Sequence, residues 1–521
     1  MTTKPFARID RRRLMLGTAA AALFASAPLA LAPEARAQDP VKGGTLRYAT
    51  LGLDTSDPHR HTGSIAVQQL YVEALTSIGP DGRVEPFLAK GWDISEDGKT
   101  YTFTLRDGVT FHNGDPMDAE AVAANIRRVK ENVTGGWLAS AMKLVESVKT
   151  EGDDAVVITM SEPYAPLVNL MSELWIVSPA SEGWDETIKT PIGTGPFTFG
   201  EWRPQVSLTA PAYEAYWRGD DMPYLAAVEV NLREDIDKGN ALRAGDLDIV
   251  NVDRDVARRL AQDPAIRTST LKDSTWYFAA FNNRSPRAPF DDPKVREALM
   301  YAIDKRAFMQ FIAPETGVVS NQMVMPGHVY YDAAIGEADA HKGADLDKAK
   351  ALLAEAGVDP STITIDLVSW QESYPQVVVQ MLRQLGFKVE HSALDDLGAQ
   401  NRLGQYDWDM AVMASGPRAD IFLRYVRLMS DGPNPVLWGG IQDAELDGLI
   451  KAAVAETDED ARKALYTEAF QRVIDNKYFM VLGHAPNAIA MREAVKGYEP
   501  GFTWSPNWVS GGIAQTFLIE D

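Results

Sequence analysis

Short β-type segments such as Gly43–Thr50 and Ala155–Met160 recur between segments with the 3.6-residue helical period, such as Ser373–Phe387. Interleaving of this kind commits a chain to an α/β fold, because each strand must find its sheet partner across an intervening helix. The helical segments carry their own boundaries. In Asp345–Gly357 the apolar positions Leu346, Ala349, Leu352 and Leu353 share a face, Asp345 is placed to cap the start, and Gly357 to close the end in a left-handed turn. With 521 residues, 45% of them hydrophobic, the chain can build several cores, and length alone suggests about three or four domains. Repeats, low-complexity tracts and long linkers are absent, which fits domains joined by crossing strands.

The N-terminus reads as an address. An arginine cluster, Arg11–Arg13, precedes an apolar run from Leu14 to Leu31 and an A-x-A cleavage site, Ala35-Arg36-Ala37. Residues 1–37 are therefore expected to be a signal peptide cleaved after Ala37, and the arginines before Leu14-Met15 look like a twin-arginine export signal, with an ordinary secretory signal as the alternative. The whole chain has a formal charge of −22, and the leader carries six basic against two acidic residues, so the mature protein is more acidic still. Such a charge repels a phosphate backbone and argues against nucleic-acid binding. No cysteine is present, which excludes disulfides, thiol catalysis, cysteine-ligated metals and a lipid-modified cysteine at the cleavage point. The expectation is a soluble, unanchored periplasmic protein.

The stretch from Gly91 to Val122 shows how local structure is encoded. Tyr101, Phe103 and Leu105 alternate onto one strand face, and Asp97-Gly98 supplies the turn of a hairpin. Downstream, Asp115 is placed as an N-cap with Pro116 at the first helical position and Asp118 three residues after the cap. Apparent catalytic motifs fail on inspection. Gly98-Lys99-Thr100 imitates the end of a phosphate-binding loop, but Asp93 stands where glycine is needed and a strand follows. The loop Ile192–Gly200 imitates a dinucleotide fingerprint, yet Pro196 follows the second glycine and Thr198 replaces the third, so it reads as a strand entry. Neither G-x-S-x-G nor H-E-x-x-H occurs, which leaves a secreted carboxylate-dependent hydrolase as a remote alternative. His59 and His61 flank Arg60 with a spacing that could chelate a metal, but the arginine and the lack of a third ligand favour a solvated loop. No metal or cofactor is expected.

Four ordered blocks, Ala89–Val129, Ile192–Gly219, Phe278–Met309 and the Asp345–Gly357 helix, resemble the family 5 extracellular solute-binding proteins, the periplasmic receptors of ABC importers for dipeptides, oligopeptides, nickel complexes and opines. The resemblance spans nearly all of the mature chain. It implies a two-lobed periplasmic binding protein fold of the large type, with lobe I at 38–274, an extra subdomain within it at about 80–185, lobe II at 275–483 and a C-terminal return to lobe I at 484–521. It implies a monomeric receptor, not an enzyme, that captures a peptide or peptide-like ligand between its lobes and hands it to an inner-membrane permease. Opine or sugar conjugates and nickel chelates are the alternatives.

The resemblance also points to ligand contacts. Peptide-binding relatives carry an aspartate in the turn after the strand that here reads Asp409–Ala414. This chain offers Pro417 or Arg418 at that spot, with Asp420 two residues later, so Arg418 is expected to hold a ligand carboxylate. His484 lies where the chain re-enters lobe I and is a further candidate. Trp137, after a glycine pair in an expected loop, Trp370, at a strand end, and Trp438, beside two glycines, are candidate aromatic walls.

Overall fold

The computed structural model describes residues 39–519 except 51, 61–64, 134–135, 220, 234, 253, 339–340, 417, 419, 433–434, 502–506 and 509–510, and leaves out the side chains of 136–137, 272–273, 435 and 508 as well. The expected signal peptide, His61 and Pro417 lie outside the described residues. Pro40–Asp521 is one compact unit rather than three or four separate domains. The reason is a ten-stranded sheet that runs through it. In order, its strands are Trp202–Arg203, Ser207–Pro211, Ala227–Asn231, Thr45–Ala49, Ile249–Val252, Phe479–Arg492, Ile266–Phe281, Met410–Ser415, Thr364–Trp370 and Lys388–Leu394.

Two long central strands hold the halves together. Ile266–Phe281 spans 16 residues and Phe479–Arg492 spans 14, and they pair antiparallel. One stretch of the pair, Ile266–Thr270 with Ala488–Arg492, is continued by Ile249–Val252; the other, Ser274–Ala280 with Phe479–Pro486, is continued by Met410–Ser415. The register shifts between Thr270 and Ser274, where the ladder passes from one half to the other. Away from these strands the pairing is largely parallel, as interleaved helices require. The architecture is the two-lobed α/β fold expected from the sequence.

Period-two alternation distributes the core. On Ile266–Phe281 the side chains of Trp276, Phe278 and Ala280 enter one hydrophobic cluster, and Tyr277, Ala279 and Phe281 enter another on the opposite face. A separate four-stranded sheet, Ala89–Ile94, Thr100–Leu105, Ala155–Met160 and Val145–Glu151, builds the extra layer. Tyr101, Phe103 and Leu105 are buried on alternate positions, as expected of the hairpin, and Gly98 turns at φ 67°. The helix Ala119–Asn132 packs over this sheet, but its cap is Asp118, which accepts from the Ala121 N–H at 2.8 Å, rather than Asp115. Asp115 and Pro116 belong to a narrow bridged loop instead: Thr110 bridges Pro116, and the Phe111 N–H bonds the Asp115 carbonyl. The helix at Asp345 starts and ends as read, with the Asp345 carboxylate accepting from the Lys348 N–H and Gly357 at φ 70°. Ile192–Gly200 is extended chain with one bridge, Phe197 to Ala212, and its glycines are set by contact: a Cβ on Gly193 would lie 1.8 Å from the Tyr71 carbonyl oxygen.

Candidate functional site

The strand Met410–Ser415 delivers the chain to Gly416, Arg418 and Asp420, and a helical turn, Phe422–Tyr425, continues into the 3-10 turn Val426–Leu428. Two cavities meet at this segment. The larger, about 1050 Å³, lies between the extra layer, represented by Ser140, Glu162 and Tyr164, and the segment 418–455. Its charged lining carries both signs: Glu162 and Asp431 against Arg418, Arg427 and Lys451. The smaller, about 390 Å³, is walled by Phe278, Trp370, Met413 and Trp438, and its lining includes Arg418 and Arg427 but no aspartate or glutamate. The two arginines border both spaces.

Arg427 lies over the Trp438 ring at 5.9 Å from its centroid. Burial, and after it the like charge of Arg418, pushes its pKa down to about 10, and no carboxylate among the described residues offsets this. Trp438 is itself fully buried, stacked on Phe278 at 4.8 Å and tilted against Trp276 at 5.0 Å, so its face is held rigidly beneath the guanidinium. Trp370 ends the strand Thr364–Trp370, and its indole N–H is buried without an acceptor among the described residues. Burial pushes the Glu173 carboxyl up to about 7, while the Arg418 guanidinium pulls the other way.

A fold of this topology has known counterparts. The family model of bacterial extracellular solute-binding proteins, family 5 Middle, matches residues 83–431, well over half of the chain. The chain belongs to this family. Among curated relatives, the nickel-binding periplasmic protein of Escherichia coli K12 is 29% identical over 465 residues, covering 82% of this chain and 86% of its own. Di/tripeptide-binding protein 2 of Pseudomonas aeruginosa is 27% identical, covering 85% and 90%. NikA from Brucella suis, solved with Fe(III)-EDTA, superposes with a TM-score of 0.80 at 23% identity, over 91% of this chain and 100% of that one. The protein is a substrate-binding receptor of the ABC-importer type, and among the described residues no helix is long and apolar enough to cross a membrane.

Of the residues singled out in this family 5 receptor from its sequence, Trp370, Arg418 and Trp438 come together around the smaller cavity. Asp420 and His484 line neither cavity. Asp420 is buried against Arg462 at 2.9 Å and accepts from the Phe422 N–H at 2.6 Å, while Arg462 also reaches the Tyr330 hydroxyl at 2.9 Å. His484 is fully buried on the strand Phe479–Arg492. Its Nε2–H donates to the Gln322 carbonyl at 2.8 Å, Nδ1 meets the Ser274 hydroxyl at 3.1 Å, and burial pushes its pKa down to about 3 against the Gln322 bond. Trp137 lies in the helix Gly136–Met142 rather than in a loop, and its side chain is outside the described residues. His59, expected in a solvated loop, is buried: Nε2–H donates to the Trp175 carbonyl at 2.8 Å, and Nδ1 accepts from Arg128 at 2.7 Å. Sequence reasoning missed Arg427. It stands in "LRYVRLM", an ordinary-looking charged helical run, and only the fold shows which wall it faces.

Proposed function

We propose that the receptor captures a peptide or peptide-like small polar ligand in the space between the extra layer and the segment 418–455 and delivers it to an inner-membrane permease, performing no chemistry itself. One observation carries this reading: a cavity of about 1050 Å³ whose walls come from two different cores and whose charges have both signs. A zwitterionic chain of a few residues matches such a wall, since each end finds an opposite charge. The proposal extends to its setting. Residues 1–37 act as an export signal, twin-arginine in type, the mature chain works as a monomer in the periplasm without a nucleic-acid partner, and the lobes, 38–274 with 484–521 and 275–483, pivot where the register shifts between Thr270 and Ser274. The acid-free smaller cavity supports a second reading, an opine conjugate or an anionic metal chelate. A thermal-shift screen of peptides, opines and nickel chelates on the mature protein tests both. A true ligand at about 100 times its Kd stabilises the protein by about 2.7 kcal/mol without turnover. Turnover of any of these compounds refutes the receptor reading.

A further inference from the structure

The proposed capture site has a polarity, and the smaller cavity sets it. This inference rests on the receptor reading and names the end of the ligand that enters first. Three donors surround the space: Arg418, Arg427 and the indole N–H of Trp370, which has no acceptor among the described residues. No aspartate or glutamate lines this space beside Arg427. Elsewhere in the chain two deeply buried arginines are supplied with acids, Arg128 with Asp57 at 2.6 Å and Arg462 with Asp420 at 2.9 Å, whereas the buried Arg296 is held by the Asn283 side chain at 2.7 Å. Arg427 is held against Trp438 in the same manner but without that acid. A partly buried guanidinium left in this condition is stabilised by an anion arriving from outside.

We infer that the smaller cavity takes the carboxylate end of the ligand, with the two arginines on its oxygens, the Trp370 N–H on a neighbouring acceptor, and a flat or apolar side chain against Phe278, Met413 and Trp438. The rest of the ligand extends into the larger cavity, where Glu162 suits a cationic or neutral end and Asp431 is paired with Lys451 at 3.3 Å. The ligand class is thus a carboxylate whose terminal residue is aromatic or otherwise flat, with a volume at the anionic end bounded by about 390 Å³.

The test uses two probes of equal shape and opposite charge on the full mature protein: N-acetyl-Ala-Trp, which has a free carboxylate and no amine, and Ala-Trp-amide, which has the reverse. Calorimetric titration is expected to show binding of the first and little or none of the second. Arg427→Gln should weaken the first probe at least tenfold, Arg427→Lys less, because it keeps the charge and loses the fork, and Trp370→Phe severalfold, because only the N–H and part of the ring are lost. Melting curves of each variant separate lost binding from lost folding, and Arg427→Lys keeps the test open if Arg427→Gln misfolds. Equal or better binding of the amide overturns the inference, as does Arg427→Gln binding like wild type, or failure of both probes. The receptor reading itself falls only if the wider screen of peptides, opines and chelates also yields nothing.

Discussion

Arg128, on the helix over the four-stranded layer, and Arg427, on the turn that follows the strand Met410–Ser415, each lie over a tryptophan, at 5.3 Å from the Trp184 ring and 5.9 Å from the Trp438 ring. Their surroundings then diverge. Arg128 gives two bonds to Asp57, one to the His59 ring and others to the Trp184 and Glu186 carbonyls, so that every face of the guanidinium is used. Arg427 faces a cavity and a second arginine. Their supports differ in the same sense: Arg128 stands on the 14-residue capped helix Ala119–Asn132, whereas Arg427 stands on the three-residue turn Val426–Leu428, which has no side-chain cap. The stacked Arg128 is thus tied into the framework by its acid, whereas no carboxylate opposes the stacked Arg427 in the cavity that it borders.

The largest effect should come from removing each arginine in turn. Arg128→Met leaves the Asp57 carboxylate buried without its cation, and the His59 Nδ1 and the Trp184 and Glu186 carbonyls without their donor, and should cost about 3–5 kcal/mol. Arg427→Met deletes a charge that burial disfavours and should leave the ligand-free protein unchanged or more stable by up to about 1 kcal/mol, while abolishing capture of carboxylate ligands. Urea unfolding of both variants reads this directly, and loss of stability in Arg427→Met as large as in Arg128→Met would dissolve the distinction between them.

Acid–base behaviour should separate the regions next. Asp57 is raised by burial but more strongly lowered by its bonds to Arg128 and the Ile188 N–H, so its folded pKa lies below the ordinary value of 3.8. The stability it contributes is present above that value and is lost as pH falls through the folded pKa. Glu173, facing Arg418, behaves oppositely. Its pKa rises from 4.5 to about 7, so the folded state holds a proton that the unfolded chain releases, and its contribution is full below 4.5 and is lost as pH climbs toward 7. The slope is at most about 1.4 kcal/mol per pH unit and smaller in practice, because the side chain is only partly buried. Melting temperatures from pH 4.5 to 7 in wild type and Glu173→Gln should show the decline flattened by the substitution. An unchanged slope would mean that Glu173 is solvated in the folded protein.

The same contrast explains what could be read from the sequence. The hairpin through Tyr101, Phe103 and Leu105 and the helix behind Asp345 were legible because their signals are local: alternation, a cap and a closing glycine within a few residues. The cap at Asp118 was misplaced by three residues because the bridge from Thr110 to Pro116 claims the earlier aspartate, and the Gly-Gly before Trp137 read as a loop where a helix begins. Trp370, Arg418 and Trp438 stand at a strand end and in turns, the positions that singled them out in the sequence, and the fold brings them to one cavity. Partnership was not. Asp420 finds Arg462 and His484 finds Ser274 through pairings 42 and 210 residues apart, and nothing near either residue announces them. For Arg427 the decisive fact is a missing acid in three dimensions, which a linear string that is rich in acids conceals.

The smallest expected effect concerns the support beneath Arg128. Asp118 accepts from the Ala121 N–H at 2.8 Å and closes the first turn of the helix whose tenth residue is Arg128. Asp118→Ala removes that acceptor and one negative charge at the positive end of the helix, and should cost about 1 kcal/mol. Asp115→Ala, which the sequence alone would rank as the stronger change, leaves the cap in place and should cost less, since the bridged loop is held by the Asp115 backbone carbonyl as well as by its side chain. Because the helix also packs through Val122, Ile126 and Val129 into the core of the extra layer, the Arg128–Asp57 pair should survive the loss of the cap. Paired urea denaturation of the two alanine variants is the measurement. Equal costs, or a larger one for Asp115→Ala, would return the start of the helix to the position the sequence suggested; calorimetric affinity for N-acetyl-Ala-Trp should be the same in both, because neither substitution touches Arg418 or Arg427.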